Sequence, residues 1–504
     1  MLANFNFPSR GVAEAFAQAQ IVLYRASPHF QNYFYSLQKH VSFESEAQVE
    51  RSLERPLEHP VSPWLSSTAT LARSAQSLAR RVPKRRYQVD VLVCGIWLWA
   101  RRQEDELMAR LLQNLLAQGA SVLCLLHEET GDRIKQQLRS AVDPASLNRL
   151  HFLDPAGRVG RLDARFGLGV ARHRAHADFD QAQRLLARSG IHIQASALPE
   201  FEWAAARLTE WEAWAPSIEF ETALVRCHWL PLCSAVAHTA LARHKKAVTL
   251  QQGVIGHSLD VPLLAHQYLC FGSSSRQVSR EMESAFAKAT GWSPVCEDYV
   301  PAGSLFDPIL DLPDNFDQRT VLVLGQSTRW ANHLYGLEEQ TAALIQLVTR
   351  LCEATEGVKK VVIRPHPASI DSQQWQRIAA RFPERCGISP KTQSLADDLG
   401  RAAIAVSIFS GASVTAAASG LPSFFIKTAN GYYTRDLACC DDQFLDVESL
   451  RHTIEQLCTD EVAYRAWQQR CRQNASAYYA NNQVCRFGPE LMQKILVKAS
   501  SKDL

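Results

Sequence analysis

YQVDVLVCGIWLWARRQEDELMARLLQNLLAQGASVLCLLHEE, Tyr87 to Glu129, decides the fold class. It opens with an apolar, branched run of the kind buried on both faces of a parallel strand. From Arg102 apolar residues recur at helical spacing up to the stop at Gly119. SVLCLLHEE then reads as a second buried strand. Strand, helix and strand at this spacing predict parallel neighbours joined by a crossover, the unit of a doubly wound α/β sheet.

The same alternation continues outward. LHFLDP and IHIQASAL extend the sheet, KAVTLQQGVIG brings a strand into a glycine turn, and HQYLCFGSSS supplies another. Between them FDQAQRLLARSG and FEWAAARLTEWEAW are helical in pattern. Trp203, Trp211 and Trp214 lie near one another there, suited to core packing or, less simply, to stacking on an acceptor sugar. DPILDLPDNFDQR has no periodicity and is rich in Asp and Pro, which marks a linker. A second alternation follows at once: TVLVLGQS, the helix LEEQTAALIQLVTRLCEATEG, KKVVIRPHP, and IAVSIFSGASVTAAASGLPSFFI. The expected organisation is an irregular or helical extension over 1–85, a first sheet domain over 86–310, a second over 311–475, and a helical segment over 476–504 that returns to the first domain. Two such domains face one another across a cleft, and ligands of these sheets sit beyond the carboxyl ends of the strands.

Composition narrows the function classes. The chain has 504 residues, 46% hydrophobic and 21% charged, as a soluble two-domain protein would have. A net charge of +3 gives little bulk attraction to nucleic acid. The 13 cysteines form no CxxC pair, and Cys439 beside Cys440 is poorly placed to bridge or bind metal, so the thiols read as small core residues in a reducing cytoplasm. No secretory signal stands at the start, and no run reaches the roughly 20 apolar residues of a spanning helix. Between Glu58 and Asp90 there is no acidic residue, while Arg73, Arg80, Arg81, Lys84, Arg85 and Arg86 accumulate. That run suits either a solvated linker or peripheral contact with an anionic membrane.

Four loops after strands carry polar groups. Gln251, Gln252 and Gly253 follow one strand of the first domain, where glycine lets backbone approach a ligand. In the second domain Gly325, Gln326, Ser327, Thr328 and Arg329 offer amide, hydroxyl and guanidinium donors suited to phosphate. Arg364 precedes His366, which is held between Pro365 and Pro367 and so aimed at small entropic cost. A positioned imidazole can donate to a phosphoryl oxygen as a nucleotide departs. Ser410, Gly411 and Ser413 begin a short alanine-rich helix, where serine serves as cap or as phosphate ligand. Together the three loops of the second domain predict a nucleotide phosphate cradle. Walker, HExxH, GxSxG and GxGxxG motifs are all absent from the chain.

LQQGVIG with the following VPLLAHQYLCFG, then VLVLGQS, RPHP and FSGASVTAAASGLPSFF, resemble bacterial capsule and surface-polysaccharide glycosyltransferases of the two-domain, Rossmann-like GT-B fold. They are most similar to enzymes that use CMP-activated acidic sugars, the Kdo and sialic acid transferases. The likeness runs from about Ala247 to Thr428. It implies that His366, Ser410 and Ser413 contact the donor phosphate and that Gly325 and Gln326 form the companion turn. Sialyltransferases carry a paired acid before a glycine, one carboxylate acting as base; the nearest match is HEETGD, where Thr130 separates Glu129 from Gly131. Glu128 or Glu129 is therefore the expected base, and a solvated helix start is its rival reading.

The expected activity is inverting and metal-independent, with no cofactor beyond the nucleotide-sugar co-substrate and with a glycan or lipid-linked glycan as acceptor. The expected location is cytoplasmic, on or near the inner membrane face. The same loops also suit a transferase using a UDP- or GDP-sugar, a CDP-glycerol type phosphotransferase, or a non-catalytic subunit of polysaccharide assembly.

Overall fold

The computed structural model describes residues 12–37, 41–43, 86–95, 102–126, 135–136, 138–140, 142–153, 155–251, 253, 261–304, 309–325, 338–354, 356–366, 373–390, 392–429, 435–480 and 488–496. Helix α1, Val12–Ala26, opens the described chain. Strand β1, Val41–Phe43, pairs antiparallel with β5, Ile191–Ile193, as a small side ribbon.

The first large sheet contains β2 (Tyr87–Cys94), β3 (Val122–Leu125), β4 (Leu150–Leu153), β6 (Ile218–Arg226), β7 (Lys246–Leu250), β8 (Gln267–Cys270) and β9 (Asp298–Pro301). All its pairs are parallel, in the order β4-β3-β2-β6-β7-β8-β9. Its helices are α2 (Arg102–Ala117), α3 (Pro155–Ala187), α4 (Leu198–Trp214), α5 (Pro231–Ala242) and α6 (Ser273–Thr290). Burial of β3, β7 and β8 along their whole length explains why these strands read as unbroken apolar runs. Trp211 and Trp214 are fully buried and Trp203 packs against the same core, so these tryptophans serve packing.

The second sheet contains β10 (Thr320–Leu324), β11 (Lys360–Arg364), β12 (Cys386–Ile388), β13 (Ile404–Ser407), β14 (Ser423–Ile426) and β15 (Phe444–Leu445). It is again all parallel, in the order β12-β11-β10-β13-β14-β15. Helices α7 (Glu338–Ala354), α8 (Gln373–Arg381), α9 (Leu395–Leu399), α10 (Gly411–Ala418), α11 (Val447–Thr459) and α12 (Glu461–Tyr478) accompany it. Counted from its first strand, the second sheet runs 3-2-1-4-5-6, the Rossmann order, and the first runs the same with a seventh strand added beyond the sixth; the order reverses between β2 and β6 and between β10 and β13. The chain is thus α/β, with two doubly wound Rossmann-like domains.

Among the described residues the domains are joined at several places. The last helix, α13 (Pro489–Leu496), sends Met492 and Ile495 into the core of the first domain, and Thr222 Oγ1 donates to Ile495 O at 3.4 Å. At the carboxyl end of β8, Phe271 packs on Tyr478 and Tyr479 and accepts the Ala480 amide at 2.8 Å. Gly272 is obligatory there, because a Cβ would stand 2.2 Å from Tyr478 O. Beside it the amino end of α6 meets the 3-10 turn Arg435–Gln443, Ser274 Oγ donating to Asp436 O. One partner of this seam follows β8 and the other follows β14, so the domains meet at segments that leave the carboxyl ends of strands in both sheets.

The 12–37 segment is anchored by a buried carboxylate. Asp178 of α3 accepts from the Tyr33 hydroxyl and sits 3.1 Å from His29 Nε2, with Arg174 Nε at 3.8 Å. Burial acts to raise the Asp178 pKa, and these three partners outweigh it and hold the group below the ordinary carboxylate range.

Candidate functional site

The second sheet places its three candidate loops by register. Leu324 pairs with Arg364 on one side and with Ser407 on the other, so β10, β11 and β13 end level. The next residues, Gly325, Pro365 and Ile408, start their loops side by side at the reversal of strand order. Gly325 N donates to Arg364 O at 2.9 Å. A Cβ on Gly325 would lie 3.2 Å from Arg364 O and Pro365 Cα and 3.3 Å from His366 N, so the missing side chain lets the two turns touch. His366 is half-buried at this edge. Gln326, Ser327, Thr328 and Arg329 lie outside the described residues.

Ser410 is the N-cap of α10, with extended φ −159° and ψ 137°, and its Oγ accepts from Ala412 N at 3.2 Å. Ser410, Gly411 and Ala412 remain part-exposed at the amino end of the helix, where the backbone dipole favours an anion. Ser413 is different. It is fully buried, and its hydroxyl donates to Ser407 Oγ at 2.7 Å. The third residue of this helix faces β13, and its hydroxyl fastens the helix to the strand.

Arg364 also has a partner within the protein. Its Nη1 donates to Gln393 O at 3.0 Å and pairs with Asp398, whose side chain is 1% exposed. Asp398 also takes the Ser389 hydroxyl at 2.7 Å and the Gln393 amide at 2.5 Å. Through Nη1 the guanidinium braces the end of β11 against α9, while the side chain stays part-exposed.

In the first domain Gln251 is buried at the end of β7 with its amide engaged at both ends. Oε1 accepts from Phe271 N at 2.6 Å, and Nε2 donates to Gly253 O at 2.7 Å and Ser275 Oγ at 3.1 Å. Gln251 therefore shapes the loop in place of lining the crevice, and Gly253 is left exposed. Gln252, Glu128 and Glu129 fall outside the described residues, as does the basic run except for the exposed Arg86. Among the described residues no cluster of His, Cys, Asp or Glu is arranged to hold a metal ion. None of their helices is long and apolar enough to cross a membrane.

No family model matches the chain, and no curated protein matches it. Solved structures do. The chain is similar to a putative UDP-N-acetylglucosamine 2-epimerase from Listeria monocytogenes at 12% identity and TM-score 0.43, over 78% of this chain and 93% of that one. It is similar to UDP-GlcNAc 2-epimerase from Neisseria meningitidis, bound to UDP-GlcNAc, at 12% identity and TM-score 0.43, over 81% and 98%. It is also similar to MurG of Acinetobacter baumannii at 10% identity and TM-score 0.41, over 80% and 99%. At these values the fold rests on the strand order described above.

The residues that sequence reasoning missed are those that hold the loops in place. Asp398 stands next to the Ser394–Asp397 capping box, a local signal, yet its partner Arg364 is 34 positions away. Ser407 and Ser275 are strand-end and helix-start serines with no mark of their partners. What the arrangement offers chemically is an edge of backbone turns, one imidazole and one helix amino end, with no carboxylate among Gly325, Pro365, His366, Ser410, Gly411 and Ala412. Such an edge suits a phosphate better than a cation.

Proposed function

We propose that this chain is a glycosyltransferase of bacterial surface-polysaccharide synthesis, moving a sugar from a nucleotide donor to a glycan acceptor with inversion. The observation that carries the reading is the meeting of Gly325, His366 and the amino end of α10 at the strand-order reversal of the second sheet. Donor phosphate would lie on that edge, with His366 donating to it as charge develops on the leaving group. Glu128 or Glu129, in the loop after β3, would deprotonate the acceptor hydroxyl from the first domain. Excluding water from the crevice would favour transfer over hydrolysis. The resembled motifs favour a CMP-activated acidic sugar as donor, with a UDP- or GDP-sugar as the alternative, and the basic run from Arg73 to Arg86 suits a lipid-linked acceptor on an anionic membrane.

The test has two arms. A thermal-shift series with CMP, CDP, UDP and GDP is expected to show stabilisation, largest for CMP, because a ligand bound only by the native state raises its stability. Preference for UDP would replace the donor and keep the transferase; stabilisation by none of the four would remove the phosphate cradle. His366→Ala is expected to lower acceptor-dependent nucleotide release about 100- to 1,000-fold while changing nucleotide affinity little. Near-native release would remove the role given to His366.

A further inference from the structure

The described cysteines are all free thiols, and all are buried except Cys439, which is part-exposed. Cys439 sits in the turn Arg435–Gln443, with its Sγ 3.8 Å from Cys440 Sγ and 3.7 Å from Asp436 O. The turn is already broken at Cys440, where φ is −110° and ψ 21°. It forms one side of the seam between the domains: Ser274 Oγ donates to Asp436 O, Ser275 Oγ stands 3.5 Å from Asp436 Oδ2, and Ser273 Oγ donates to Ala477 O at 3.2 Å.

As sequence neighbours Cys439 and Cys440 read as poorly placed to bridge, but the fold holds their sulfurs 3.8 Å apart, and we propose that they are an oxidation site, closed to a vicinal disulfide by a peroxide, that loosens the seam between the two domains. The pair is asymmetric. Cys439 is part-exposed and Cys440 buried; the contact between the two thiols holds Cys439 below the ordinary thiol range, while the same contact and burial push Cys440 up. The reachable Cys439 is thus the nucleophile, and Cys440 the resolving thiol. The Cys439 thiolate attacks one peroxide oxygen, the O–O bond breaks, and hydroxide leaves and takes up the proton the thiol released, giving a sulfenic acid and water. Cys440 sulfur then attacks the Cys439 sulfur, the S–O bond breaks, and a second water carries off the Cys440 proton. The two sulfurs supply the two electrons that reduce the peroxide. Closing the ring draws the sulfurs from 3.8 Å to about 2 Å and removes the Cys439 thiol from Asp436 O, the same carbonyl that accepts from Ser274 across the seam.

This inference is independent of the transferase reading. The test treats the full-length reduced chain with hydrogen peroxide and reads the 439–440 peptide by mass spectrometry, with dimedone present to trap sulfenic acid. Loss of two hydrogens from that peptide is expected in the native chain. Cys440→Ser should convert the product to a dimedone adduct at Cys439, and Cys439→Ser should leave Cys440 unoxidised. Absence of both products, or oxidation of Cys440 at an undiminished rate in Cys439→Ser, would overturn the site. Hydrogen exchange at Ser273–Ser275 should quicken in the oxidised chain; unchanged exchange would overturn its effect on the seam.

Discussion

His366, Ser410 and Ser413 were indistinguishable in kind as polar residues at strand ends, and the fold sorts them by where each side chain falls. Ser413 is spent on Ser407, Arg364 on Asp398, and Gln251 on Phe271 and Ser275. Each has found a protein partner because a buried polar group left unpaired costs about 1–3 kcal/mol. Glu283 of α6 shows the limit of that pairing. It is 1% exposed, accepts from Tyr299 Oη at 2.5 Å and Leu263 N at 2.8 Å, and has Arg280 only as a neighbour over the Tyr299 ring. Burial raises its pKa from the ordinary 4.5 to about 7, against the lowering effect of both hydrogen bonds. The folded state then holds a proton that the unfolded state releases. The resulting stability is full below about pH 4.5 and lost as pH rises through about 7, an effect of order 3 kcal/mol from a shift of this size. Denaturant titrations at pH 5 and pH 8 should show this loss in the native chain, and Glu283→Gln should flatten it. A variant as pH-sensitive as the native chain would remove Glu283 as the source.

At the scale of elements, the turn after β10 and the turn after β11 are one unit, because Gly325 has no side chain to keep them apart. Gly325→Ala would place a methyl 3.2 Å from Arg364 O and 3.3 Å from His366 N, both backbone atoms that cannot yield without moving the loop. The expected cost in folding stability is about 1 kcal/mol, as for a small overpacking change. The expected loss in nucleotide-induced thermal shift is larger than for alanine placed at the exposed Gly253, where nothing stands within 4 Å. Equal nucleotide shifts in the two variants would show that the contact between these turns does not shape the cradle.

For the whole molecule, the decisive feature is that the chain crosses back. Helix α13 follows the second domain in sequence yet buries Met492 and Ile495 among residues of the first. Both are fully buried, so Ile495→Ala should destabilise the first domain by about 2–5 kcal/mol through lost burial and the cavity left behind. Hydrogen exchange resolved by peptide should show the loss in β2 and β6, around Thr222, and not in β10 to β13. Uniform weakening of both domains would mean that the two cores melt as one. The 12–37 segment is likewise part of the first core, held by Phe30, Tyr33 and Phe34, although its sequence suggested only mixed helical pieces.

The doubly wound class, the two successive sheets and the three strand-end loops of the second domain were legible in the sequence. A parallel strand buried on both faces must be apolar throughout, and the helix beside it must repeat at 3.6 residues, so the pattern survives in one dimension. Which polar groups face the crevice was not legible. That choice depends on partners such as Asp398, Ser407, Phe271 and Asp436, which lie from 6 to 161 positions away along the chain from the residues they engage. Only the assembled sheets, which set the ends of β10, β11 and β13 level, determine whether a hydroxyl or guanidinium meets protein or is left for a ligand.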